Sequence, residues 1–241
     1  MSEPTGAQAL PKYLQISERL IRDIAAGRLA DGARLPPERE MAEGLDVSVG
    51  TLRKALRELA GLGLLDRVQG SGNYVRHKAD VRSVYALFRL ELVTGGGLPT
   101  ARVLDVARLT KPQDAPDFGP SPEAHRIRRL RALDGEPAAM EEIWLDARHA
   151  AVVTAADLSD SLYRFYAERL GLVIARVEDR IGVAPVPDWR PQGFAPAAGT
   201  AAGYIERIGF TAQGARAEFS RTWFDPDRVR YVSRMGEGKT S

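Results

Sequence analysis

The chain has no cysteine and only three histidines, His77, His125 and His149. The first absence excludes disulfides and thiolate metal sites, and the wide spacing of the histidines lacks any metal-ligand pattern. No apolar run reaches membrane-spanning length, and no charged-then-apolar leader opens the chain. A cytoplasmic protein with no structural metal and no cofactor is therefore expected, with no membrane among its partners. Internal repeats and low-complexity tracts are also missing.

Charge is the next scarcity, since the net value is only +2 over 241 residues. Its distribution says more. Residues 15–46 carry five basic and seven acidic side chains, whereas residues 47–78 carry six basic and two acidic. Positive charge gathers on one short stretch. With 44% hydrophobic residues, the chain can build one large core or two modest ones.

Tyr13, Ile16, Leu20, Ile21 and Ile24 recur at helical spacing before Gly27, which predicts an amphipathic helix over residues 12–26. A second helix is expected to start at Pro37, where a missing N–H costs nothing, and to bury Met41, Ala42 and Leu45. A third follows in DVSVGTLRKALREL, residues 46–59. Ser48 suits its N-cap, Val47 and Leu52 suit a hydrophobic staple, and Leu52, Ala55, Leu56 and Leu59 form the apolar stripe. Gly50, Arg53, Lys54 and Arg57 lie opposite that stripe. The run LLDRVQGSGNYVR then reads as a hairpin.

Three helices and a hairpin make a winged helix-turn-helix. A helix that enters a major groove N-terminus first benefits from small leading residues, and Arg53 one turn on can reach a guanine edge with both arms. A winged helix used only for protein contacts is the competing reading.

These residues resemble the GntR-type DNA-binding domain nearly end to end, through Gly27, Gly32, Leu35, Pro36, Glu38, Arg39, Glu40, Ala42, Val47, Ser48, Thr51, Arg53, Ala55, Leu56, Leu59, Gly63, Gly70, Gly72 and Val75. The resemblance implies DNA contacts by Arg39 from the second helix, by Ser48, Val49, Gly50, Thr51, Arg53 and Lys54 from the recognition helix, and by Gln69 and Gly70 from the wing. It departs at two places. Pro37 stands where the family usually has serine, and Val49 where it usually has an arginine that reads bases. Valine cannot donate a hydrogen bond, so the family's usual operator is not expected.

Beyond Val75 the sequence predicts an α+β domain. In HRIRRLRALDGEPAAMEEIWL, residues 125–145, Asp134-Gly135 signals a hairpin, and Ile127, Arg129, Arg131 and Leu133 share a face. Two arginines among apolar neighbours need an anion. That anion is either a ligand or Glu141, which a three-residue loop sets opposite Arg129. DLSDSLYRFYAERLG reads as a helix from about Ser161 to Gly171, where Ser161 either caps the helix or helps hold an anion. Residues 187–203 read as a connector and helix start, and residues 218–232 as the last strand and a turn at Asp225-Pro226.

Pro99, Thr100, Arg129, Leu130, Arg131, Asp134, Gly135, Pro137, Glu141, Asp157, Leu158, Ser161, Leu162, Tyr163, Glu218, Ser220, Asp227 and Arg228 together resemble the UTRA effector domain of the HutC-type branch of the GntR family. That resemblance implies a chorismate-lyase-like fold, dimerisation through the sheet, and an effector site at Thr100, Arg129, Arg131, Glu141, Ser161 and Tyr163, with Phe224 where relatives place a tyrosine. The domains expected are 9–77, a linker at 78–83, and 84–237. The reading is a homodimeric regulator of transcription that represses at a double-stranded DNA operator and is released by a small anionic effector. A chorismate-lyase-like enzyme is the alternative, although no acid-base or nucleophile constellation stands out.

Overall fold

A computed structural model describes residues 10–77, 85 and 87–234, which form two compact units. One comprises Leu10–Leu98 with the returning segment from Tyr231, and the other Pro99–Arg230. The expected linker, residues 78–83, lies outside the described residues.

In the first unit α1 (Lys12–Ala25) buries Ile16, Leu20, Ile21 and Ile24 and gives way to Gly27 at φ +76°, a conformation that side chains with a Cβ resist. The second helix, α2 (Glu38–Gly44), begins one residue later than expected. Pro37 is its extended N-cap, at ψ 139°, rather than its first helical residue, so Glu38 and Glu40 occupy the first turn and complement the helix dipole. In α3 (Val49–Gly61) the Ser48 hydroxyl accepts the Thr51 N–H at 3.1 Å, and Leu52, Ala55, Leu56 and Leu59 are buried. Strands β1 (Leu65–Val68) and β2 (Gly72–Val75) pair antiparallel around the turn at Gly70.

The same unit continues past the wing. Arg22 of α1 is buried and donates to the carbonyls of Leu90 and Gly97, flanking β3 (Leu90–Leu92), while Glu91 pairs with Arg234 at 2.6 Å.

The second unit is a six-stranded antiparallel sheet. Its strands are β4 (Pro99–Thr110), β5 (Glu123–Leu133), β6 (Glu136–Asp146), β7 (Ile174–Pro185), β8 (Ala201–Thr211) and β9 (Arg216–Phe224), in the order β4-β5-β6-β9-β8-β7. Helix α4 (Leu162–Leu170) lies between β6 and β7 in the chain. Between β5 and β6 the turn is Asp134-Gly135 alone, both at positive φ, rather than three residues. A bulge opposite Arg131/Ala132 supplies the extra residue, so Glu141 still faces Arg129.

Period-two alternation sorts the sheet into two faces. One face carries Leu130, Met140, Trp144, Phe219 and Trp223 into apolar clusters. The segment after β7 was expected to start a helix; instead it folds Val186 and Phe194 onto this face and passes directly into β8. Ala-Gly-Tyr-Ile-Glu-Arg-Ile alternates like a strand once its apolar side has a sheet to cover. Residues 218–232 likewise hold one strand more than expected, β10 (Val229–Tyr231). No helix among the described residues is long and apolar enough to cross a membrane.

Candidate functional site

Two sets of side chains have functional chemistry, one on each unit. On the first unit, α3 presents Gly50, Arg53, Lys54 and Arg57 away from its buried stripe. Ser48 and Thr51 are joined through their hydroxyls at 2.8 Å, which fixes the first turn. Arg39 is exposed on α2, and Gln69 and Gly70 form the wing turn. Two placements qualify the expected set. Lys54 extends its ammonium over the Tyr13 ring, 3.7 Å from the centroid, so it leans on α1. Val49 is half-buried and packs against the apolar core, which leaves only part of its surface for any other contact.

Arg53 does not stand free. Its Nε donates to Glu38 Oε2 at 2.6 Å, and Arg67 of the wing donates to Glu38 Oε1 at 2.9 Å. Those hydrogen bonds, Arg53 foremost, hold the Glu38 carboxyl below the usual carboxylate range. One carboxylate thereby ties α2, α3 and the wing through two exposed cations. Neither Glu38 nor Arg67 is a contact that sequence spacing could pair, because they stand 29 residues apart. The surplus of positive charge around Arg67 was the available signal.

On the second unit, the polar face of the sheet gathers most of the expected effector residues. Arg129 and Arg131 of β5 are both buried, and both bind Glu141 of β6. Arg129 reaches Glu141 Oε2 through Nη2 at 2.6 Å and through Nε at 3.0 Å, and Arg131 reaches the same oxygen at 3.1 Å. Arg131 also donates to the Asp160 carbonyl at 2.9 Å, beside Ser161. Burial alone would raise the Glu141 carboxyl, but the two guanidinium groups outweigh it and hold it down to about 2. The anion that meets the arginines in this structure is Glu141.

Ser161 caps α4, with its hydroxyl accepting the Arg164 N–H at 3.4 Å. Tyr163 donates to Glu218 Oε1 at 3.1 Å. Phe224 covers Gly203, where a Cβ would strike the ring. Its register partner is Ala139, so it shares the face of Glu141. Thr100 is the exception: it pairs with Ala132 while Ala101 pairs with Arg131, and alternation turns Thr100 to the opposite face. The expected set therefore loses Thr100.

Several partners were not foreseen. Glu218 is buried among Tyr163 and Tyr166, and burial pushes its carboxyl above the usual range. Arg207 of β8 donates through Nε and Nη2 to the two carboxylate oxygens of Asp179 of β7, at 2.6 and 2.7 Å. Burial would lower the Arg207 pKa, but Tyr163 and Asp179 more than compensate. Glu218, Ser220 and Thr222 alternate with Phe219, Arg221 and Trp223, a pattern of polar residues that are buried or half-buried on the face of Glu141. Arg129 Nη1 and Glu218 Oε2 are buried and have no hydrogen-bond partner among the described residues.

Comparison with known proteins agrees with this division. Residues 12–75 match the family described as bacterial regulatory proteins, gntR family, and residues 95–230 match the UTRA domain. The chain is 56% identical over 227 residues to the HTH-type transcriptional regulator SmoD of Agrobacterium fabrum (strain C58), an alignment that spans 94% of this chain and 97% of that one. It is 27% identical to the mannosyl-D-glycerate transport/metabolism system repressor MngR of Escherichia coli (strain K12), over 92% of this chain and 95% of that one. In fold it is similar to the possible transcriptional regulator YydK from Bacillus subtilis, with a TM-score of 0.53 at 21% identity, covering 94% of this chain and all of that chain. The chain belongs to the GntR family of bacterial transcriptional regulators, with a DNA-binding winged helix followed by a UTRA domain, a family of regulators and not of enzymes.

Proposed function

We propose that this chain is a cytoplasmic homodimeric repressor of the HutC-type branch, which leaves its operator when a small anion occupies the polar face of the UTRA sheet. The observation that carries the anionic reading is the sharing of one carboxylate by two buried guanidinium groups. Arg129 Nη1 is buried and still without a hydrogen-bond partner among the described residues, although Nε and Nη2 both reach Glu141. A small oxyanion satisfies it, assisted by Ser161 and Tyr163 from α4. MngR is named for a system that handles mannosyl-D-glycerate, itself a carboxylate on a sugar, and acidic sugar derivatives accordingly head the search.

DNA binding is assigned to Arg39, Ser48, Gly50, Thr51, Arg53, Gln69 and Gly70, with Val49 and Lys54 at the margin because each is partly engaged within the unit. The proposed domains are 9–77 and 84–237, joined by 78–83. Phosphate contacts supply most of the affinity, while Arg53 supplies base discrimination. The effector acts only by binding more tightly to a dimer geometry whose two α3 helices mismatch the operator half-sites.

A thermal-shift screen of sugar phosphates, acidic sugars and small carboxylates tests the effector, since a ligand at a hundred times its dissociation constant stabilises the fold by about 2.7 kcal/mol. A screen in which neutral sugars alone raise the melting temperature defeats the anionic reading. Arg53→Ala should weaken selected-site binding by roughly 1–3 kcal/mol and relax one base position. Unchanged affinity in that variant would return the winged helix to protein contacts.

A further inference from the structure

The wing has a third extended segment that local sequence signals do not announce. Gly32 donates to the Val75 carbonyl, Val75 to the Ala33 carbonyl and Leu35 to the Asn73 carbonyl, each at 2.9 Å, so residues 32–35 run along β2 with Arg34 opposite Tyr74. This pairing lays the Arg34 side chain over Gly72, where an added Cβ would stand 3.3 Å from Nε. Gly72 also holds φ at +128°, so a glycine there serves both the backbone and the guanidinium that rests on it. Arg34, Glu38, Arg67, Gln69 and Ser71 line one groove of about 550 Å³ between the segment before α2 and the wing.

Arg34 differs from the other arginines around that groove. Arg53 and Arg67 share Glu38 and Arg76 binds Asp66 at 2.6 Å, whereas the exposed Arg34 side chain has no acidic partner among the described residues. Its charge stays available to an anion from outside the chain. We propose that Arg34 is a further DNA contact, binding a backbone phosphate of the strand that borders the wing. This rests on the assignment of Gln69 and Gly70 to DNA and adds a contact of a different kind beside them. A wing tip that enters a minor groove has a sugar-phosphate strand on its flank, and Arg34 stands at the root of the wing rather than at its tip. The anion met there is a phosphodiester, bound without regard to the base it carries, so Arg34 adds affinity and register but no sequence preference. Glu38, in the same groove, does not oppose the phosphate, because Arg53 and Arg67 offset its charge.

Arg34→Ala removes an exposed side chain without an acidic partner, so the fold should survive it, and melting followed by far-ultraviolet circular dichroism is the control. Fluorescence anisotropy of the full chain tests the contact between about 50 and 200 mM potassium chloride, on a duplex that the parent selects from a random pool and on a random duplex of equal length. Arg34→Ala should weaken both by the same factor, about eightfold per bound copy at about 100 mM salt, and reduce the slope of log affinity against log salt by about 0.9 per copy. Arg34→Lys keeps the charge and should stay within about threefold of the parent. A loss confined to the selected duplex makes Arg34 a base reader and overturns the phosphate assignment, as does a lysine variant no better than the alanine one. An alanine variant with the affinity and slope of the parent also overturns it. If Arg53→Ala still weakens binding in that case, the DNA-binding face stands without Arg34; if neither variant weakens binding, both readings fall.

Discussion

Glu141→Gln is the sharpest test of the polar face. The replacement keeps the size of the side chain while removing its charge, and it turns an amide NH2 toward one guanidinium donor. Arg129 and Arg131 are 3% and 4% exposed, so neither can recover hydration when its partner is neutralised. Removing one member of a buried ion pair costs about 3–5 kcal/mol. For a chain of this size, that loss lowers the melting temperature on the order of 10 °C. The three tryptophans, Trp144, Trp189 and Trp223, all belong to the second unit, so urea unfolding followed by tryptophan fluorescence reports that unit by itself. Exchanging chloride for phosphate at constant ionic strength should then stabilise the variant more than the parent, because guanidinium charges that no carboxylate neutralises attract an oxyanion. A variant within 1 kcal/mol of the parent, and no more responsive to phosphate, would show that the arginines are not held by this carboxylate.

The same carboxyl sets a pH dependence. Glu141 is held down to about 2 from an ordinary 4.5, so its contribution is complete above pH 4.5 and is lost as the pH falls toward 2, on the order of 3 kcal/mol. The Glu141→Gln protein should lack that acid-side slope when unfolding is followed at several pH values. Glu218, raised by burial, acts in the opposite sense, with its contribution fading as the pH rises above its ordinary 4.5. Glu38→Gln releases Arg53 and Arg67, which should raise affinity for random duplex and lower discrimination for the selected site roughly tenfold, about 1.4 kcal/mol, in fluorescence anisotropy. Undiminished discrimination would show that Glu38 does not position Arg53. Gly203→Ala forces the Phe224 ring away and should cost about 1–3 kcal/mol, which Phe224→Leu in the same chain should partly recover in the same unfolding assay.

The first unit was legible because its signals are local. Helical spacing, the Ser48 cap and the glycine turn lie within a few residues of what they determine, and each element then buries its apolar side against the next. The β5–β6 hairpin was legible for a similar reason, since a two-residue turn and the period of two carry Arg129 toward Glu141. The turn length was misread, and the bulge that corrects it leaves no mark in a single sequence. The start of β8 was misread as a helix because its alanines and glycines favour neither state strongly until the sheet receives them.

Contacts between distant segments were decided elsewhere. The sequence by itself determined the three helices and the wing of the first unit, the β5–β6 hairpin, the two domain types and the acidic and basic residues available to each site, because these follow from short-range spacing and from motif. Only the tertiary structure decided that Glu38 clamps Arg53 to the wing, that Thr100 turns away from the arginines, and that Asp179, Arg207, Tyr163 and Glu218 lie along one polar face. Side-chain partners across a sheet depend on strand register and order, which are settled by which apolar faces can be buried together.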